Sequence, residues 1–315
     1  MSPARLFTRS LPAFVALSVA CSDAGTPPTS VPPPSFDAPH ALALLDPVGA
    51  VFDQGIFRSF SGAHPYLEKF YRTVNTAPFP AQGATFVYDP GANTYVADPT
   101  LPGAPTPGVR FTLYEWDESL GRFTVPLTRV GYVDLTPQSL TGDATQATRV
   151  VMVRDAPAAT IADFVVAHGV TAGVNVFDLS GFATDGITHV NVTVGGTASG
   201  AGAHHLDYFS TLSAPTLGLT ADEQLSYDQA PGAPYGKSQL RYEMHTLTDE
   251  SVGNGSEISF DGALYARVLP AAGGGAVQYL KPDGTPLTQQ EAADVEAVLV
   301  RTGVVHFFWI DLVWP

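Results

Sequence analysis

The chain has 315 residues, of which 45% are hydrophobic and only 14% charged, the composition of a well-buried globular protein with a polar, weakly charged surface. Its formal net charge of −15 argues against nucleic acid or an anionic lipid surface as partner, since both are recognised by basic patches. With a single cysteine no internal disulfide can form, so core packing must hold the fold.

The N-terminus carries Arg5 and Arg9, no acidic residue before position 21, and an apolar run from Leu11 to Ala20. A positive start, a short apolar core and small residues at its end describe a secretory signal peptide, too short to span a bilayer. Ser18-Val19-Ala20-Cys21 follows, with the lone cysteine directly behind a small residue. This resembles the lipobox of bacterial lipoproteins. The resemblance implies removal of residues 1–20, acylation of Cys21, and attachment to the cell envelope through an N-terminal lipid. Ser22 in place of an aspartate implies the outer membrane.

Ser22 to Pro39 holds six prolines among small polar residues. Such a stretch buries too little surface to offset chain entropy, so residues 21–39 are expected to form a tether. The body is then 40–315, read as one domain.

Within the body, Asp46-Pro47 reads as a helix start, followed by an apolar face at Val48, Phe52, Ile56 and Phe60. From Thr85 the period changes to two. Thr85–Asp89 and Thr94–Ala97 form an expected hairpin, and Val109–Trp116, Arg129–Leu135 and Thr148–Arg154 follow as strands. Ile161–Ala167 fits strand or short helix. Asp185-Gly186 marks a hairpin between Val174–Leu179 and Ile187–Val194. Gly195–Gly202 reads as a hairpin loop, and Ala214–Gly236, rich in proline and glycine, is the one stretch that offers a division into two subdomains as an alternative. Leu240, Tyr242 and Met244 alternate with polar residues, and Asn254-Gly255 and Asp261-Gly262 divide the rest into a meander, with Ile258, Phe260 and Leu264 facing the core. Thr288 and Glu291 form a capping box ahead of a helix that runs through Arg301, while 304–314 fits helix or strand. The expected fold is α+β, mainly β: a large curved antiparallel sheet or half-open barrel packed against N- and C-terminal helices.

Chemistry is sparse. No nucleophile elbow, zinc-protease motif or calcium loop occurs. His205 and Asp207 share a strand face and, with His189 or His245, form the candidate metal group; histidines on the polar faces of strands look the same. Asp89, Asn93 and Asp98 are acidic-hairpin residues with ordinary turn spacing. Tyr114 and Trp116 lie opposite Val109, Phe111 and Leu113, so they are candidates for lining an apolar ligand groove. No catalytic residue and no cofactor is assigned. The expectation is a lipid-anchored, non-catalytic envelope protein. The alternatives are a carrier or binder of an apolar or lipid ligand between sheet and helix, an architecture that resembles periplasmic lipoprotein carriers, and a secreted envelope hydrolase.

Overall fold

The computed structural model describes residues 36–73, 82–138, 144–171, 174–199, 205–228, 235–253, 255–270 and 277–313. Two helices come first, α1 (Ala38–Phe52) and α2 (Gly55–Thr73). Then come β1 (Thr85–Asp89), β2 (Thr94–Asp98), β3 (Val109–Tyr114), β4 (Trp116–Asp117), β5 (Arg122–Phe123), β6 (Arg129–Pro137), β7 (Ala144–Asp155), β8 (Ala158–Thr171) and β9 (Val174–Thr184). The strands β10 (His189–Ser199), β11 (His205–Ala214), β12 (Leu219–Asp228), β13 (Tyr235–Tyr242), β14 (His245–Val252), β15 (Gly255–Phe260), β16 (Ala263–Leu269) and β17 (Gln278–Leu280) follow, and α3 (Gln289–Val313) closes the chain.

Among the described residues fifteen strands make one open sheet. From β6 to β17 it is a pure meander in which each strand pairs with the next. The order then runs through β3 and β1 to β2, and β1 lies parallel to β3, the one parallel pair of the sheet among the described residues. The sheet does not close into a barrel; β4 and β5 form a separate small hairpin. The mainly β architecture with helices at both ends of the chain is therefore as expected.

One face of the meander is apolar. Val133 and Leu135, Val150 and Met152, Phe164 and Val166, Phe177 and Leu179, and Val190, Val192 and Val194 are all buried on it. Period-two alternation puts these side chains on one side of their strands. The helices cover them, burying Leu45 and Val48 of α1, Phe57, Phe60 and Leu67 of α2, and Val295 and Val298 of α3.

Several local expectations are corrected. Asp46-Pro47 does not start a helix: Asp37 is the cap, its Oδ1 accepting a hydrogen bond from His40 N, and Pro47 lies inside α1. Residues 36–39 thus belong to the body, with Phe36 packed edge-on against Phe260 and Tyr265. Ile161–Ala167 is strand, and Gly195 and Gly196 lie within β10. The described part of 214–236 holds a 3-10 turn (Pro215–Leu217), β12 and the start of β13, and both strands continue the same sheet. Leu264 pairs with Ser259 across a bulge, leaving Ala266 as the residue opposite Ile258. Asp261-Gly262 does turn as expected, both residues taking positive φ (50° and 76°). At the C-terminus Thr288 and Glu291 exchange the two hydrogen bonds of the capping box (2.7 and 3.2 Å), and the backbone is helical through Val313.

Candidate functional site

One end of the sheet carries the β7–β8, β9–β10, β11–β12, β13–β14 and β15–β16 connections. The registers place Arg129, Asp155, Thr184, His189, Ala214, Tyr242, His245 and Phe260 at that end of their strands. The α1–α2 corner sits against it. Gln54 in the corner donates to Val51 O at 2.8 Å and to Thr184 O at 3.2 Å, which ties the corner to the end of β9. Gly131 lets α2 approach closely, since a Cβ there would lie 2.7 Å from Ile56 Cδ1 and 2.2 Å from Val153 O.

Between the corner and the ends of β3, β6 and β7 lies a cleft of about 540 Å³, within the size range of small-molecule sites. Its apolar wall is Trp116, Ile56 and Val130; its polar lining includes Gln54, Arg58, Glu115, Arg129, Arg154 and Asp155. Trp116 is seated on α2 where position 62 has no side chain: a Cβ there would come within 2.2 Å of the indole. The edge-on contact with Phe123, centroids 5.1 Å apart, fixes the other side of the ring.

The three arginines differ in their partners. Arg129 Nε lies 2.7 Å from Asp155 Oδ2, and its Nη2 donates to Oδ1 at 3.2 Å, a forked pair. Arg58 faces Glu118 at 3.4 Å. Arg154 instead donates to two neutral acceptors, Gln54 Oε1 at 3.1 Å and Pro157 O at 3.4 Å. A half-buried guanidinium held by neutral oxygens keeps its full charge and most of its five N–H donors for another anion.

Trp116 is thus the expected groove residue that the structure places in a cleft. Tyr114 is not part of this lining; it is half-buried with its ring edge-on to Phe123 at 6.3 Å, and burial raises its hydroxyl pKa. The candidate metal group is not brought together. His205 pairs with Ser199 at one end of β10, while His189 begins that strand at the other end, ten residues or about 33 Å away. His189 stacks on Phe182 and contacts Asn191 Oδ1. His245 contacts Asp261 Oδ2 at 2.9 Å, and Asp207 accepts from Ser226 Oγ at 2.8 Å. Among the described residues no group of three or more metal-ligating side chains converges. Asp89 accepts from Gly91 N and Ala92 N, Asn93 from the Tyr88 hydroxyl and Asp98 from Thr100, so the acidic hairpin spends its oxygens on its own turns. Cys21 lies outside the described residues.

Two carboxylates on the apolar face escaped the sequence reading. Glu223 stands between Ser210 and Ser238 in register, and Asp249 is opposite Ser238. Burial pushes Glu223 up to about 7 and raises Asp249 as well. The signal was present as alternation: Leu219, Ala221, Glu223 and Leu225 share one strand face, and the middle acid is the exception. No such signal exists for Gln54, Arg58, Arg129 and Arg154, which meet only through the tertiary fold. No family model, curated protein or solved structure matches the chain.

Proposed function

We propose that the chain is a lipid-anchored protein of the bacterial envelope, acylated at Cys21 and held at the outer membrane, whose body binds a small amphipathic anion. The ligand's apolar part packs on Trp116 and Ile56, and its carboxylate, phosphate or sulfonate meets Arg154. The observation that carries the ligand half of this reading is the guanidinium of Arg154, held by Gln54 and Pro157 carbonyl oxygens alone in a chain of net charge −15. The anchor half rests on the arginine-led apolar run that ends at Ala20-Cys21.

Two measurements test the halves separately. In cells fed a labelled fatty acid, the wild-type chain is expected to take up label and to sediment with membranes, and Cys21→Ala to do neither. Equal labelling of both forms overturns the anchor. For the cleft the probe is 8-anilinonaphthalene-1-sulfonate, an aryl group bearing one anion. One molecule is expected to bind per chain. Arg154→Gln should weaken that binding at least tenfold, since a hydrogen bond to a charged group contributes about 1.5–3 kcal/mol. Trp116→Ala should weaken it further, while the urea midpoint of Arg154→Gln stays at the wild-type value. Undiminished binding by Arg154→Gln overturns the ligand reading.

A further inference from the structure

The same end of the sheet exposes large apolar side chains where turn chemistry favours polar ones. Ile187, in the β9–β10 turn, is 90% exposed, and Met244, in the β13–β14 turn, is 94% exposed. Turn positions of this kind select Gly, Asn, Asp or Ser. The β13–β14 turn goes further against that preference: Glu243 takes the positive φ (52°) with a side chain, and methionine follows it into solvent. Leu120 and Val125, 59% and 70% exposed, lie in the connection that leaves β3 and re-enters β6 at this end. The tips that carry Ile187 and Met244 are four strand spacings apart, on the order of 20 Å, with the β11–β12 turn between them. These four are more exposed than any other large apolar residue described.

The acids beside them are internally engaged. Asp185 Oδ1 accepts from Ile187 N and Thr188 N (2.8 and 2.7 Å). Glu243 meets His40 at 3.2 Å, Asp261 meets His245 at 2.9 Å, and Asp155 meets Arg129. The chain also enters the body here. Phe36, fifteen residues after Cys21, packs on Phe260 at this end of β15, and α1 then crosses from Glu243, met by His40, to the α1–α2 corner, where Gln54 meets Thr184. Fifteen residues span on the order of 45 Å when extended as polyproline, so a lipid on Cys21 keeps this rim within reach of the bilayer.

We propose that this rim docks on a lipid bilayer, with Ile187 and Met244 entering the headgroup region and Leu120 and Val125 extending the apolar footprint. Amphipathic surfaces lie in the interface by burying apolar side chains to a depth of about 5–10 Å while the backbone stays among the headgroups. The occupant is a zwitterionic surface, because a chain of net charge −15 is repelled by anionic lipid, and the arginines described at this rim line the cleft, with Arg58 and Arg129 paired to Glu118 and Asp155. The inference rests on the anchor reading for the nearness of a membrane, while the rim's own affinity for lipid is measured without the acyl group.

The test uses the chain from position 21 with Cys21→Ser, so that no acyl group contributes. That change also removes the sole cysteine, which makes single-site labelling possible. An environment-sensitive fluorophore on Ile187→Cys or Met244→Cys is expected to shift to the blue when phosphatidylcholine vesicles are added. The same label on Val170→Cys, exposed at the opposite end of the sheet, should not shift. Without labels, the double variant Ile187→Asp, Met244→Asp should lose at least tenfold in vesicle-bound fraction at an unchanged unfolding midpoint. No shift at 187 and 244, or an equal shift at 170, overturns the proposal. So does a shift that appears without lipid and grows with protein concentration, which would assign the rim to a second copy. None of these failures bears on Cys21, whose acylation is measured in cells.

Discussion

Glu223→Gln is expected to stabilise the body by about 3 kcal/mol at pH 8 and by almost nothing at pH 4.5. Glu223 stands on the apolar face of β12, and burial alone pushes it up to about 7 from an ordinary 4.5. Each tenfold difference in proton affinity between folded and unfolded chain is about 1.4 kcal/mol. The sign follows from which state holds the proton. Between pH 4.5 and 7 the folded chain keeps Glu223 protonated while the unfolded chain has released it, so stability falls as pH rises through this window. Below 4.5 both states are protonated and the penalty vanishes; above 7 it is complete. Asp249 is raised by burial too, against a hydrogen bond from Ser256 that lowers it, and acts in the same direction. Glutamine keeps the shape and removes the charge. Urea unfolding of wild type and Glu223→Gln at the two pH values, on the chain from position 21, gives the comparison free of the molecule's general acidity. An equal gap at both pH values would show that Glu223 ionises normally in the folded state.

That a carboxylate interrupts an apolar face bears on how much of this molecule can be read from its sequence. Features set by neighbours in the chain were legible. Alternation placed Val190, Val192 and Val194 on the buried face, Asp261-Gly262 made a tight turn, and Thr288 with Glu291 capped α3. Misreadings arose where tertiary contact overrode local preference. Pro47 looks like a helix start, yet α1 runs through it because Leu45, Val48 and Val51 on the same turns are buried. In the Pro- and Gly-rich stretch after Ala214, named above as an alternative to the single domain, Pro215 and Gly218 shape one turn between two paired strands. Met244 continues the alternation of Leu240 and Tyr242, but the strand has ended and the side chain points into solvent. The cleft had no local signature at all. Residues 54, 116, 129 and 154 lie up to a hundred positions apart, and the one that matters most, Arg154, is distinguished by the neutrality of its partners. Trp116 was found on residue type and not on geometry: the expected strand Val109–Trp116 ends at Tyr114, and Trp116 belongs to the separate β4–β5 hairpin, where it packs on α2 and faces the cleft.

That seat on α2 depends on how firmly the helix is held, and Phe60→Ala is expected to lower stability by about 3–5 kcal/mol. Phe60 is fully buried, with its ring at 87° to that of Phe164 on β8 and centroids 6.5 Å apart. Removing it leaves a cavity between helix and sheet as well as losing the transfer free energy of the ring, because close-packed neighbours relax only in part. Phe60→Leu retains most of the volume and should cost less than about 1.5 kcal/mol. Phe209→Ala is the control for aromatic loss as such: Phe209 is 46% exposed on the other face of the sheet, lying over Gly195, and its removal should cost about 1 kcal/mol or less. Urea midpoints of the three variants order them. Phe60→Ala must lie well below the others, because α2 carries Arg58 and the glycine on which Trp116 rests, and the helix reaches the sheet chiefly through Ile56, Phe57, Phe60 and Leu67. Equal midpoints for Phe60→Ala and Phe209→Ala would mean that α2 is not packed on the sheet as described, and the cleft wall formed by Trp116 would lose its support along with it.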